Sequence, residues 1–249
     1  MFIVLKMGDT MEKCAEKYGD FEDWTIKAAD LDGENVKVID PRKQELPTFQ
    51  NICGIIITGS HDMVTDRFEW IEKTSEWLKG AAKECVPIFG ICFGHQLLAQ
   101  TFGGIVANHP SGPEIGAVGV NLTDEAAQDQ LFKDLPQTFL AHATHTQSVL
   151  KLPKNAILLA SNCYEGCHAF RIDKNIWGVQ FHPEHDENIM KEYVKAQAEN
   201  IKNLPIVLRN ICQTPHAGSI LKKFTDFCLK RKSFKLPHVN ANTPHIKAK

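Results

Sequence analysis

Short runs of consecutive apolar residues divide the first 105 residues of the chain, and they constrain the fold more than any other feature of the sequence. The runs Gly54–Ile57 and 87–91 contain no charged or amide residue, which is typical of strands covered on both faces of a parallel sheet. A segment with helical spacing of large apolar residues, 68–83, separates them. Two earlier runs, Phe2–Leu5 and Val36–Ile39, are also strand-like. This alternation predicts an α/β fold, flavodoxin-like, with a mostly parallel central sheet and helices on both faces.

The middle of the chain changes to short strand-like segments in close succession. Turn signals separate them, which favours antiparallel strands added to the sheet. Residues 186–203 and 218–232 are amphipathic and predict helices. No repeat and no linker divides the chain, so we expect one domain over residues 1–232 and a basic C-terminal tail over residues 233–249, interpreted as a solvated terminus. The strand-like segments of the middle part are 118–122, 139–143, 156–160, 168–172 and 176–181.

Composition excludes several classes of protein. A hydrophobic content of 43% is too high for a disordered chain, and a net charge of −2 is too balanced for a highly basic nucleic-acid binder. No segment approaches the ~20 apolar residues that a membrane helix requires, and the amino terminus does not resemble a secretion signal. Eight scattered cysteines favour a reducing, cytoplasmic location. Three of them lie in apolar contexts and are expected to pack as small hydrophobes: Cys53, Cys85 and Cys228.

One cysteine stands where an apolar strand runs directly into a helix. Cys92 lies between Gly90 and Gly94, and these glycines permit the tight turn of a nucleophile elbow. The first N–H groups of the following helix favour a thiolate and could hold an oxyanion. Taken alone, the pattern is equally compatible with a buried structural cysteine. A catalytic role for Cys92 is therefore favoured over a structural one only if the sequence also contains residues able to activate the thiol.

A second motif lies ninety residues further along the chain. His182 ends a strand-like run, and Glu184 follows two positions later. In an extended segment, positions i and i+2 point to the same side, so the carboxylate could orient the imidazole. Cysteine, histidine and an orienting acid are the groups needed for nucleophilic acyl transfer. We therefore predict Cys92 as nucleophile, His182 as general acid and base, and Glu184 as the orienting group. The alternative is a His-Pro-Glu turn without chemistry.

Together the segments Gly90-Ile-Cys92-Phe-Gly-His-Gln96 and Gly178-Val-Gln-Phe-His182-Pro-Glu184 resemble the class I (triad-type) glutamine amidotransferase family. The resemblance runs from about residue 54 to residue 184, and more loosely from residue 1 to about residue 230. It implies the flavodoxin-like fold of that family and a Cys-His-Glu catalytic triad. It also implies a reaction that requires no metal ion and no organic cofactor.

The resemblance further implies contacts with the substrate. The backbone N–H groups of Gly59 and Phe93 would form the oxyanion hole. Gln96 would lie near the bound glutamine, and the segment that contains His145 and Thr146 would line the pocket for its α-amino and carboxylate groups.

The implied activity is hydrolysis of the glutamine side-chain amide to glutamate and ammonia through a cysteinyl thioester. The chain after Glu184 is too short for a synthetase domain and has no Gly-rich phosphate loop, so an ammonia-accepting synthetase would be a separate partner. Two alternatives stay open. Segments 59–62 and 112–114 resemble the γ-glutamyl peptidases, which cleave γ-glutamyl peptides with the same triad, and a catalytically silent regulatory subunit of a synthetase is also compatible. No membrane or nucleic-acid partner is expected, whereas a second copy of the chain is left open.

Two weaker patterns fall short of a metal site. Cys163, Cys167 and His168 lack a fourth ligand at a suitable spacing. His142 and His145 are three apart, so on a strand they would face opposite sides of the sheet.

Overall fold

A mixed sheet organises the part of the chain that the computed structural model describes, residues 1–235. Eleven strands occur there, nine of them in this sheet. In chain order the strands are β1 (Phe2–Leu5), β2 (Val36–Ile39), β3 (Gly54–Ile57), β4 (Ile88–Ile91), β5 (Ile105–Asn108), β6 (Glu114–Leu122), β7 (Thr138–His145), β8 (Gln147–Lys151), β9 (Ala156–Ser161), β10 (Ala169–Ile172) and β11 (Ile176–Val179). The α-helices are α1 (Glu12–Tyr18), α2 (Phe21–Ala28), α3 (Glu69–Lys83), α4 (Phe93–Thr101), α5 (Glu187–Ala196), α6 (Leu204–Asn210) and α7 (Pro215–Lys235).

The strand order of the sheet is β2-β1-β3-β4-β11-β10-β9-β6-β7. From β2 to β11 every neighbouring pair is parallel, and from β11 to β7 every pair is antiparallel. The predicted antiparallel additions are thus confirmed. The parallel half brings the carboxyl ends of its strands to one edge, where sites of α/β proteins form.

Apolar residues that alternate along β1 belong to two separate cores, one on each face of the sheet. Phe2 and Val4 pack in a cluster with α7, whereas Ile3 and Leu5 pack in a cluster with α3 and α4. A third cluster joins α1, α2, α5 and α6. Helices therefore cover both faces, as predicted, and the continuous apolar runs reflect burial on both sides.

Several elements differ from the sequence-based predictions. The predicted helix 186–203 ends at Ala196, and a new helix, α6, begins at Leu204. Asn203 has φ 61° and Pro205 follows it, and proline suits the first turn of a helix but not the interior of a continuing one. The short helices α1 and α2 and the separate two-stranded sheet of β5 and β8 were not predicted.

The expectation that Cys85 packs in the core was wrong. Cys85 is exposed, whereas Cys53 and Cys228 are buried as expected. The chain turns at Cys85 with φ 55° between α3 and β4, and this turn carries the side chain outward. Helix α7 continues to Lys235, and the rest of the predicted tail, 236–249, lies outside the described residues.

None of the helices between residues 1 and 235 has the length and apolar character that a bilayer crossing requires.

Candidate active site

Cys92 lies at a sharp turn where β4 passes directly into α4. Its backbone has φ 48° and ψ −97°, a conformation that non-glycine residues adopt rarely and that is often found at functional positions. The turn requires glycine on both sides, because a Cβ at Gly90 would lie 2.5 Å from the Gly94 carbonyl oxygen and a Cβ at Gly94 would lie 2.7 Å from the Ile57 carbonyl oxygen. The Cys92 N–H donates to the Val179 carbonyl oxygen at 2.8 Å, which ties the turn to β11.

The pairing of β4 with β11 brings His182 to the same edge of the sheet as Cys92. The two strands are parallel and in register, with Ile91 opposite Val179. The chain therefore leaves both strands on one side. The His182 N–H donates to the His142 carbonyl oxygen at 2.7 Å, which fixes the backbone just beyond β11.

Glu184 is the hydrogen-bond partner of the His182 ring. Its Oε1 lies 2.8 Å from His182 Nδ1, and both side chains are buried. Burial by itself lowers the pKa of His182, but the charges of Glu184 and Cys92 outweigh burial and raise that pKa to about 10. His182 therefore carries a proton at neutral pH. A thiol beside a protonated imidazole that a carboxylate orients is chemically equipped for acyl transfer.

Two backbone amides near Cys92 have no acceptor among the described residues. Phe93 begins α4, and the first N–H groups of a helix have no partner within it. Gly59 follows β3 in a loop that Thr58 anchors, since Thr58 Oγ1 donates to the Gly59 carbonyl oxygen at 2.9 Å and accepts from the Met7 N–H at 3.0 Å. A Cβ at Gly59 would lie only 3.1 Å from His182 Cε1.

A cavity of about 320 Å³ opens over Cys92 and His182. Gln96, His145 and Thr146, the residues expected to contact the substrate, all line it. The Gln96 Nε2 group, however, donates to the Gln147 carbonyl oxygen at 2.7 Å and to Gln180 Oε1 at 3.0 Å, so its oxygen is the end left for a ligand.

The His145 ring turns away from the cavity and into a buried polar network. His145 Nε2 lies 3.0 Å from Glu114 Oε2, and His168 Nε2 lies 3.3 Å from the same oxygen. Burial raises the pKa of Glu114, but the hydrogen bonds with His145 and His168 outweigh burial and hold that pKa well below its usual range. Asn162 donates to the other carboxylate oxygen at 2.9 Å. This network fixes the segment that ends β7, so His145 supports the cavity wall from behind.

Gln180 was not singled out from the sequence, although it lies inside the second motif. It is fully buried, and its Nε2 group donates to Cys92 Sγ at 3.5 Å. Gln96 holds the opposite end of this amide. The two glutamines therefore direct an N–H donor at the thiol sulfur.

His185 was also missed. Its ring stacks on the His182 ring with centroids 4.1 Å apart and an interplanar angle of 13°. Only its position directly after the Pro-Glu pair could have drawn attention to it.

The ligand atoms of His182, Glu184 and His185 lie within 4.8 Å of one another, which is the spacing of a metal site. The stacked rings argue against one shared ion, because a metal must lie close to the plane of each imidazole that binds it, about 2 Å from the nitrogen. In the described part of the chain, Cys163, Cys167 and His168 do not form such a group.

The chain matches known proteins over most of its length. The family model described as "Glutamine amidotransferase class-I" matches residues 17–200. "Gamma-glutamyl peptidase 4" from Arabidopsis thaliana is 29% identical over 189 residues, which cover 74% of this chain and 75% of that relative. A subunit of the glutamine-hydrolyzing GMP synthase from Methanococcus aeolicus is 37% identical over 158 residues, which cover 61% of this chain and 78% of that relative.

Solved structures share the same architecture. A glutamine amidotransferase from Thermotoga maritima superimposes with a TM-score of 0.69, covering 92% of this chain and 96% of that chain. The two sequences are 17% identical, so this likeness shows the fold alone.

Proposed function

Because the chain belongs to the class-I glutamine amidotransferase family, we propose that it hydrolyses the side-chain amide of glutamine to glutamate and ammonia through a thioester on Cys92. The observation that carries this proposal is the meeting of Cys92, His182 and Glu184 at the carboxyl edge of β4 and β11. A bonded carboxylate and a protonated imidazole beside a thiol are more than structural packing requires.

Each group at this edge of the sheet has its own role in the proposed reaction. The Cys92 thiolate attacks the amide carbon, and the N–H groups of Gly59 and Phe93 receive the oxyanion. His182 gives its proton to the departing nitrogen, and ammonia leaves. The neutral imidazole then takes a proton from water, whose oxygen attacks the thioester and releases glutamate. Glu184 holds the ring through Nδ1 in both steps.

The fate of the ammonia is the next part of the proposal. One relative is named as a subunit of a glutamine-hydrolyzing GMP synthase. We infer a separate synthetase chain that accepts the ammonia, because that relative is named as one subunit of such an enzyme. The division into a domain over residues 1–232 and a tail, and the cytoplasmic location, stay predictions.

A second candidate function has support from the cavity wall. Apolar and aromatic side chains line part of the cavity: Met11 just before α1, Phe21 at the start of α2, Met63 between β3 and α3, and Tyr193 and Ala196 on α5. Ammonia as a leaving group needs no such surface, whereas the amino-acid part of a γ-glutamyl peptide does. A relative named as a γ-glutamyl peptidase points the same way.

The test is glutamate release by the purified chain from glutamine and, in parallel, from a γ-glutamyl dipeptide. Cys92→Ala is the blank, and Cys85→Ala, which changes an exposed cysteine away from the cavity, is the matched control. Release from glutamine that depends on Cys92 supports the main proposal. Release from the dipeptide alone supports the peptidase. Release that persists in Cys92→Ala contradicts both, and activity of the isolated chain excludes a silent regulatory role.

A further inference from the structure

His185 is a buried histidine whose two ring nitrogens have no hydrogen-bond partner among the described residues. The residue is 4% exposed, and neither ring nitrogen finds a donor or acceptor among the described residues. Leaving buried polar atoms unpaired is costly, so such groups call for a physical reason. An apolar side chain of similar size would fill the same space without that cost.

The surroundings of His185 connect it to the triad. Its ring stacks face to face on His182 at 4.1 Å, while Trp24 contacts it edge-on at 5.3 Å and Tyr193 lies against it at 5.1 Å. The backbone is also held, because the His142 ring bonds the His185 carbonyl oxygen through Nδ1 at 3.1 Å. The ring of His185 is thus fixed between aromatic neighbours and presents one face to His182.

We propose that His185 is a positioning residue for the triad: its neutral ring fixes the plane of the His182 ring, and its N–H edge faces the Glu184 carboxylate. This inference rests on the proposed function. His185 Nε2 lies 3.7 Å from Glu184 Oε1, which is too long for a hydrogen bond in the resting site. We assign the proton to Nε2 because that nitrogen faces the carboxylate.

The neutral state of His185 follows from the charges around it. Burial, and after it the charge of His182, lowers the pKa of His185 well below its ordinary value. His61 and His142 act in the same direction. The titratable groups that face His182 and His185 from the surrounding elements are Glu184 on the same segment, His61 after β3, Cys92 before α4, His142 on β7 and Tyr193 on α5. Asp186 is exposed and its carboxylate instead accepts from the first N–H groups of α5.

The N–H edge matters most after His182 has given up its proton. Glu184 is then a fully buried carboxylate without a cationic partner, and its Oε2 has no hydrogen bond among the described residues. In a site of low polarity, the nearby N–H dipole of His185 stabilises that charge. The stack and the bond to Glu184 together restrict rotation of the His182 ring, which must face first the leaving nitrogen and then water.

Two substitutions distinguish the contribution of the His185 aromatic face from that of its N–H group. His185→Phe keeps an aromatic face and removes the donor, whereas His185→Leu removes both. Met190→Ala is the matched control, since Met190 is fully buried on α5 in the same apolar cluster as Trp24 and Tyr193. The first readout is the rate of Cys92 alkylation by iodoacetamide against pH, resolved by peptide mass spectrometry so that other thiols do not contribute. The second is kcat and KM for glutamate release over the same pH range.

We expect His185→Leu to lower kcat about 10-fold or more with little change in KM, because a misplaced ring affects the reaction rather than binding. In His185→Phe we expect kcat to lie within about threefold of the wild-type value, because the aromatic face is kept. This substitution also moves the alkaline transition of Cys92 alkylation upward by about 0.5 pH unit, since a positive dipole near Glu184 is lost and His182 holds its proton more tightly.

Three results would overturn the inference: wild-type kcat and pH profile in His185→Leu, no rescue by His185→Phe, or an equal loss in Met190→Ala. If the unmodified chain releases no glutamate from either substrate, the proposed function fails, and the alkylation profile still decides the role of His185. An alkaline transition unchanged in both His185 variants would then refute it.

Discussion

The narrow space between Gly59 and His182 makes Gly59→Ala a quantitative test of the site. A methyl group there would lie 3.1 Å from His182 Cε1, whereas carbon atoms normally approach to about 3.5–4.0 Å. The ring cannot retreat freely, because Glu184 holds it at 2.8 Å and His185 stacks on its face at 4.1 Å. It must therefore move by a few tenths of an ångström.

The expected loss follows from that displacement. A misplacement of about 1 Å can cost about 100-fold in rate, so a few tenths of an ångström should lower kcat on the order of 10-fold with KM nearly unchanged.

Gly59 does not have a positive φ, so alanine is compatible with its backbone. The gain of about 0.4–1 kcal/mol from a less flexible unfolded chain partly offsets overpacking of about 1–3 kcal/mol. We expect the free energy of unfolding to fall by about 1–2 kcal/mol.

The assay is glutamate release at saturating substrate, with denaturant unfolding measured on the same preparations. Gly119→Ala on β6 is the matched control, since its new methyl group would meet nothing within 4 Å and its φ is not positive. Wild-type kcat in Gly59→Ala would refute the claim that Gly59 limits the position of the His182 ring. An equal loss of kcat in Gly119→Ala would do the same.

Three further predictions concern the triad and its neighbours. His182→Ala should reduce kcat more than Glu184→Ala does, roughly 100-fold more, because an orienting group contributes less than the acid and base itself. The kcat/KM of wild type should hold through neutral pH and fall as the pH rises through about 10, where His182 loses the proton that the leaving nitrogen needs. Gln180→Leu removes the N–H donor 3.5 Å from Cys92 Sγ and should lower kcat/KM about 10-fold or more.

Each of these predictions has an outcome that contradicts it. Equal or reversed losses in the two triad variants would argue against the assigned roles. A fall of kcat/KM at a pH near 6.5, the ordinary pKa of histidine, would show that Glu184 and Cys92 do not hold the proton on His182. Unchanged kcat/KM in a correctly folded Gln180→Leu variant would show that the thiolate does not depend on that donor.

The elements that the sequence predicts well are those whose apolar pattern is strongest. The strands β1 and β3 have the predicted bounds, because burial on both faces leaves a continuous apolar run between polar segments. The edge strand β2 also has its predicted bounds, although Lys37 interrupts its apolar run and is exposed. The helix α2 has only eight residues, too few for a clear amphipathic period, although its capping box of Asp20 and Asp23 was visible in the sequence. The pairing of β5 with β8 depends on contacts far apart in the chain, which a local pattern does not contain.

The contacts of the site also differ in how well the sequence predicts them, because some are local in the chain and others join distant residues. The contact of His182 with Glu184 is local, since an extended segment places alternate side chains on one side. The direction of the His145 ring depends instead on Glu114, which lies 31 positions away along the chain. The amide of Gln180 meets Cys92 only because β11 pairs with β4 in one register.

The central claim is a γ-glutamyl thioester on Cys92, and trapping that adduct tests it most directly. The chain is mixed with substrate, quenched in acid within the first turnovers, digested and analysed by peptide mass spectrometry. We expect a γ-glutamyl group on the peptide that contains Cys92, formed from glutamine or a γ-glutamyl dipeptide and absent from Cys92→Ala. Turnover without an adduct at Cys92, together with undiminished turnover in Cys92→Ala, would contradict the account.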